Sequence, residues 1–320
     1  MKRSHFKLLI PFLLLTLGGC PCKKKSPTGI PIVPVYGPID KQPDWSPDGN
    51  AIAYTHIPQG EPMDSIAKYG TSQIWLLDLS SRSKRYLTSG FSPRWSPDGS
   101  MLIVYKGICL PYIIKANGDS LVPAPVSSDL CVVNWLPDGK RFGLSGKPLP
   151  PDTTPGVFIM NTDGSNLKRI LTGPSIAGIG EVVWARGSYE IGFEKGHGPT
   201  QAGTSIWLAD SNGGNVRQLT TDPNRSDREP HWCPDGGTIA FYSFNGATGE
   251  LSQIWRINRD GSGLKQLTTE GGENPSYAPG GGEIIYCRIN YSIDPSKDTR
   301  NGRLWIMNAD GTNQQQLTFP

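Results

Sequence analysis

Apolar and polar residues alternate in short runs along this chain, and no stretch keeps the 3.6-residue spacing of a long amphipathic helix. Segments such as Ile74–Asp78 "IWLLD", Phe158–Asn161 "FIMN" and Leu304–Asn308 "LWIMN" are rich in aromatic and β-branched residues. Such residues suit a pleated, half-buried surface. Gly, Pro, Asn and Asp punctuate the runs, so the pattern predicts many short strands joined by turns.

The runs recur. "PDWSPDGNAIAY" starts at Pro43, "PRWSPDGSMLIVY" at Pro93, "VNWLPDGKRFGL" at Val133 and "PHWCPDGGTIAF" at Pro230. Two weaker copies are "VVWARGSYEIGF" from Val182 and "PSYAPGGGEIIY" from Pro275. Their aromatic anchors, Trp45, Trp95, Trp135, Trp184, Trp232 and Tyr277, are 50, 40, 49, 48 and 45 residues apart. That is the period of a propeller blade. A second aromatic recurs at Trp75, Phe158, Trp207, Trp255 and Trp305, with Tyr112 in the second repeat. A leucine of an "LT" signature follows at Leu87, Leu171, Leu219, Leu267 and Leu317, after gaps of 12, 13, 12, 12 and 12 residues. Leu121 is taken as the second repeat's version.

Each repeat reads as four strands, A to D. The expected fold is all-β, a six-bladed β-propeller of four-stranded antiparallel blades over residues 43–320. The A–B link "SPDG" has turn chemistry: proline presets a type I turn, aspartate suits the second position and glycine takes the left-handed one. "NTDG", "NRDG" and "NADG" do the same between strands C and D. Ser46 and Asp48 are therefore expected to hold a shape, and Trp45 to be a packing anchor.

The N-terminus has a different character. Met1-Lys2-Arg3 and Lys7 precede an apolar run, Leu8–Leu17, shorter than the roughly 20 residues that span a bilayer. Leu17-Gly18-Gly19-Cys20 resembles the end of a bacterial lipoprotein signal. The resemblance implies cleavage before Cys20 and lipid on that residue, which would anchor the chain to a membrane. Residues 1–19 are thus expected to be a signal peptide, and residues 20–42, rich in Pro and Lys, a tether. Pro21, not Asp, follows Cys20, which points to the outer membrane in a two-membrane bacterium.

Cleavage would remove three of the 31 basic residues, leaving 28 against 28 acidic ones. A balanced charge argues against nucleic acid as a partner. Cys22, Cys109, Cys131, Cys233 and Cys287 remain, with no close zinc-type pair. Cys109 falls at a B–C link and Cys131 at the neighbouring D–A link, so a disulfide between them is expected. Cys233 and Cys287 are expected to be buried thiols.

The pattern "PxWSPDGxxIAF … IWxMNxDGSxxxxLT" resembles the repeats of the TolB propeller, which also occur in prolyl oligopeptidase-type enzymes. The resemblance implies an envelope protein whose propeller binds a partner. It differs in lacking the small α/β domain that precedes the TolB propeller, and in its own lipoprotein-like signal. No TolB contact residue lies in the repeat motif, so none is carried over.

Strand alternation places the A–B and C–D turns on one face and the longer B–C and D–A links on the other. The second face, with its central funnel, is the expected working face. Residues just ahead of the strand-A aromatics should ring it: Gln42, Asp44, Ser92, Arg94, Asn134, Glu229, His231 and Asn274. This polar, mixed-charge ring suits an envelope protein, peptide or glycan. The expectation is a monomeric, non-enzymatic binding propeller with no cofactor and no metal. The alternative is a polysaccharide- or peptide-processing enzyme whose funnel uses His56, His197 and His231; lyases with similar repeats hold a metal through several histidines.

Overall fold

The computed structural model describes residues 37–59, 71–107, 110–126, 130–146, 154–172, 180–186, 190–197, 203–290 and 301–319. Cys20, Cys22 and Cys109 lie outside these residues, as do the signal and most of the tether; the side chain of Cys131 is likewise not described. Among the described residues Cys233 and Cys287 are free and buried, as expected.

The described elements are short strands. The first repeat holds β1 (Ile39–Trp45), β2 (Ala51–Ile57), β3 (Gln73–Asp78) and β4 (Lys84–Ser89). The second holds β5 (Phe91–Trp95), β6 (Met101–Tyr105), β7 (Pro111–Lys115) and β8 (Val122–Pro123). The third holds β9 (Leu130–Trp135), β10 (Arg141–Gly146), β11 (Gly156–Asn161) and β12 (Lys168–Thr172). The fourth holds β13 (Val182–Trp184), β14 (Glu190–Gly196), β15 (Thr204–Asp210) and β16 (Arg217–Gln218). The fifth holds β17 (Ser226–Trp232), β18 (Thr238–Phe244), β19 (Gln253–Asn258) and β20 (Lys265–Gln266). The sixth holds β21 (Glu273–Tyr277), β22 (Glu283–Asn290), β23 (Asn301–Asn308) and β24 (Gln315–Gln316).

Repeats two to five each form a separate four-stranded antiparallel sheet. The first and sixth share one eight-stranded sheet, in place of two separate blades. The cause is a parallel pairing of Ile39 in β1 with Gly302 in β23. The Arg303 guanidinium secures it by donating to the Pro38 carbonyl at 2.6 Å. A side chain at Gly302 would meet Ile39 Cγ2 at 2.7 Å, so only glycine lets the strands approach. The first strand therefore begins inside the stretch expected to be tether.

Each strand-A aromatic packs on the repeat before its own. Trp95 lies with Ala53, Ile74 and Leu87, Trp232 with Ile206, Leu208 and Leu219, and Tyr277 with Ala240 and Ile254. Trp45 lies with Ile285, Leu304 and Leu317, closing the ring between first and last repeats. Burying each Trp contributes about 4–6 kcal/mol of transfer free energy before entropy is charged. Leu121 is corrected by this packing: it is exposed, while Ala124, 12 residues after Tyr112, is buried in the core.

The turns behave as their chemistry requires. The Ser46 hydroxyl donates to Asp48 at 2.5 Å, and Gly49 takes φ +78°. The "LT" threonines act differently from simple strand formers. Thr220, Thr268 and Thr318 accept the N–H of Ile206, Ile254 and Leu304 at 2.9, 2.9 and 3.0 Å. Each satisfies a strand-C amide that β16, β20 or β24 is too short to reach.

Candidate functional site

Strand A lines the central channel, and its proline shapes it. Proline has no N–H for the ladder, and the A–B pairing slips beside it in four repeats. The residue before each proline, Gln42, Ser92, Glu229 or Asn274, takes φ of 50–54°. This is uncommon for a residue other than glycine. Three of the four backbone N–H groups donate to a neighbouring repeat. Gln42 donates to Asn274 Oδ1 at 3.2 Å, Ser92 to Thr55 Oγ1 at 2.8 Å and Glu229 to Glu194 Oε1 at 2.5 Å. The Asn274 amide donates to Glu229, and Thr55 donates to Gln42 Oε1 at 3.1 Å. A continuous polar chain thus runs Glu194–Glu229–Asn274–Gln42–Thr55–Ser92 around the channel.

The residue just before each aromatic forms a second tier. Asp44 Oδ2 accepts the Trp95 N–H of the next repeat at 2.7 Å. His231 Nδ1 lies 3.2 Å from the Tyr277 N–H and 3.1 Å from the Trp232 carbonyl, and only one of these contacts is a hydrogen bond at a time. A ring protonated on Nε2, facing Ser276 Oγ at 3.4 Å, accepts from Tyr277. Arg94 has no acceptor, and the Trp135 N–H is met instead by its own neighbour, Asn134 Oδ1, at 2.9 Å.

Freed from that duty, Arg94 crosses to Glu181 of the fourth repeat at 2.6 Å. Glu181 was not among the expected ring residues, yet it stands three residues before Trp184, as Gln42 stands before Trp45. The repeat register alone would have found it. Glu194 and Arg186 were also missed; Glu194 comes from strand B, where no ring was sought.

Burial dominates the electrostatics here. It raises Asp44 to about 6 against the opposing pull of Arg94 and the Trp95 amide. Glu229 rises to about 7, through burial and then Glu181. Glu194 rises to about 8, through burial, with the Glu229 amide opposing and the Glu229 charge adding to the rise. Burial and then Arg94 and Arg186 lower His231 to about 3, so its ring is neutral near pH 7. Asp44, Glu229 and His231 keep some accessible surface, and they line the channel cavities.

Two cavities follow. A pocket of about 10 Å³ is lined by Gln42, Asp44, Arg94, Glu229, His231 and Asn274, uniting six of the eight expected residues. A larger cavity of about 100 Å³ takes Asp44, Arg94, Asn134 and His231 together with Arg186 and the turn residues Pro97, Pro137, Pro234 and Pro279. Ser92 lines neither. The larger cavity therefore reaches the tight-turn face, which was expected to be inert.

The three histidines do not converge. His56 Nδ1 is 2.7 Å from Asp40, and His197 Nε2 is 2.8 Å from Ser205 Oγ. Among the described residues no three His, Cys, Asp or Glu side chains are placed to hold a metal ion.

Known proteins place this architecture. The putative TolB of Agrobacterium tumefaciens superposes with a TM-score of 0.58 at 21% identity, over 77% of this chain and 88% of that one. TolB of Acinetobacter baumannii gives 0.61 at 19% identity, over 90% of this chain and 65% of its own length. An oligogalacturonate lyase in complex with manganese gives 0.55 at 17% identity, over 87% and 78%. At such identities the likeness establishes the fold alone. No curated protein sequence matches the chain. Residues 124–320 match the family described as the TolB beta propeller domain, and this chain belongs to that family.

Proposed function

We propose that this chain is a lipid-anchored, six-bladed binding propeller of the bacterial cell envelope. The eight-stranded sheet counts as two blades joined at Ile39 and Gly302. Residues 1–19 are the signal, Cys20 carries the lipid and the propeller holds an envelope protein, peptide or glycan as a monomer. The observation that carries the reading is the pocket where Gln42, Asp44, Arg94, Glu229, His231 and Asn274 meet, on a fold shared with TolB. Relatives of that name support export to the envelope.

The test is photo-crosslinking from position 42 in intact cells. Capture of one envelope component, lost in Glu229→Gln without loss of folding, supports the reading. Capture unaffected by Glu229→Gln, or no capture, overturns it. Fatty-acid labelling that persists in Cys20→Ala overturns the anchor.

A second reading has its own observation. Structural relatives include an oligogalacturonate lyase and the tricorn protease, so a processing enzyme acting in the funnel is the alternative. Manganese retained by the purified chain and lost in His231→Ala would favour it.

A further inference from the structure

Five of the six A–B turns place a proline two residues after the aromatic anchor: Pro47, Pro97, Pro137, Pro234 and Pro279. The fourth repeat has Arg186 at that position. Four of those prolines and Arg186 border the larger cavity. Its turn-side mouth is thus a collar of apolar rings interrupted by one guanidinium. We propose that this mouth is a binding site for a carboxylate, with Arg186 as the residue that contacts the ligand.

Arg186 is available. It is exposed and makes no hydrogen bond or ion pair among the described residues. Other arginines differ: Arg94 is held by Glu181, Arg217 and Arg259 share Glu190, and Arg288 has Glu270. A second donor lies in the same cavity. The Asn134 side chain spends its Oδ1 on the Trp135 amide, and its Nδ2 has no partner among the described residues. A guanidinium and an amide N–H facing one small space are donors for a planar, two-oxygen anion.

Size and charge narrow the ligand. A cavity of about 100 Å³ has room for a carboxylate head group. Asp44 and Glu181 line the same cavity. They would repel a dianion such as phosphate more strongly than a singly charged carboxylate. The cavity shares Asp44, Arg94, Glu181 and His231 with the proposed partner pocket, but Arg186 lines only the larger cavity, so the proposal does not depend on what that pocket holds.

The experiment is calorimetric titration of the full chain in detergent with propionate, with a tripeptide bearing a free C-terminal carboxylate, and with the same tripeptide amidated. Propionate or the free-carboxylate tripeptide is expected to bind saturably in the millimolar range or tighter. The amidated tripeptide is expected not to bind. Arg186→Ala and Arg186→Pro, the latter restoring the turn of the other repeats, are expected to weaken binding about tenfold or more, with Arg186→Lys between. Binding by propionate alone identifies a small acid as the ligand, and binding by the tripeptide alone identifies a chain terminus. The proposal is overturned if neither carboxylate binds, if inorganic phosphate binds as tightly, or if folded Arg186→Ala and Arg186→Pro bind like the parent chain.

Discussion

Arg94 of the second repeat donates to Glu181 of the fourth at 2.6 Å, joining non-adjacent sheets across the channel. Both side chains are about five-sixths buried, at 17% exposure each. Removing one partner leaves an uncompensated charge, so Arg94→Ala should cost about 3–5 kcal/mol. Arg94→Ala with Glu181→Ala should cost less than that single change. Denaturant midpoints of the singles and the double form the cycle that checks this. A loss in the double variant equal to the sum of the two single losses would show that the pair is not coupled.

The channel acids make stability depend on pH. Glu194 and Glu229 titrate near 8 and 7 when folded, against 4.5 for an ordinary glutamate. The folded state therefore holds protons that the unfolded chain has already lost, and stability falls as pH rises toward 8. His231 works oppositely: folded near 3 against an ordinary 6.5, it loses stability as pH falls below 6.5. Between pH 4.5 and 6.5 the two acids outweigh the one histidine, so the contribution of these groups should be greatest near pH 4.5 and decline toward 8. Glu194→Gln should flatten the alkaline decline while keeping an oxygen for the Glu229 amide. An unchanged slope in that variant would refute the assignment.

Gly143 in β10 admits the Trp184 ring, and an added Cβ would lie 1.8 Å from Trp184 Cη2. Gly143→Ala should force the indole to shift and cost about 1–3 kcal/mol or more. Gly282→Ala, with nothing within 4 Å, is the control and should be nearly neutral. Thermal melts compare them directly.

Thr268→Val keeps the shape of the side chain and removes the acceptor for the buried Ile254 N–H. It should cost about 1–3 kcal/mol, while Thr268→Ser should be milder because the hydroxyl stays. Hydrogen exchange at Ile254 should accelerate in the valine variant alone.

The strands and the turn chemistry were legible from residue order because each depends on contacts within about a dozen residues, and the aromatic anchors because they recur at a regular period. Asp48 and Gly49 announce their roles locally, while Trp45 is marked by its recurrence. The ring position three residues before the aromatic was also legible, and the same spacing contains Glu181. What a ring residue does was not legible. Gln42, Glu229 and Asn274 look variable and solvated along the chain, yet each meets a partner dozens to hundreds of residues away. Only closure of the ring decides that Arg94 reaches Glu181, that Ile39 pairs with Gly302, and that Arg186 of the fourth repeat borders a cavity. Sequence sets local strand and turn preferences, which are short-ranged. The packing of one repeat on the next sets which charges share a buried space, and that is long-ranged.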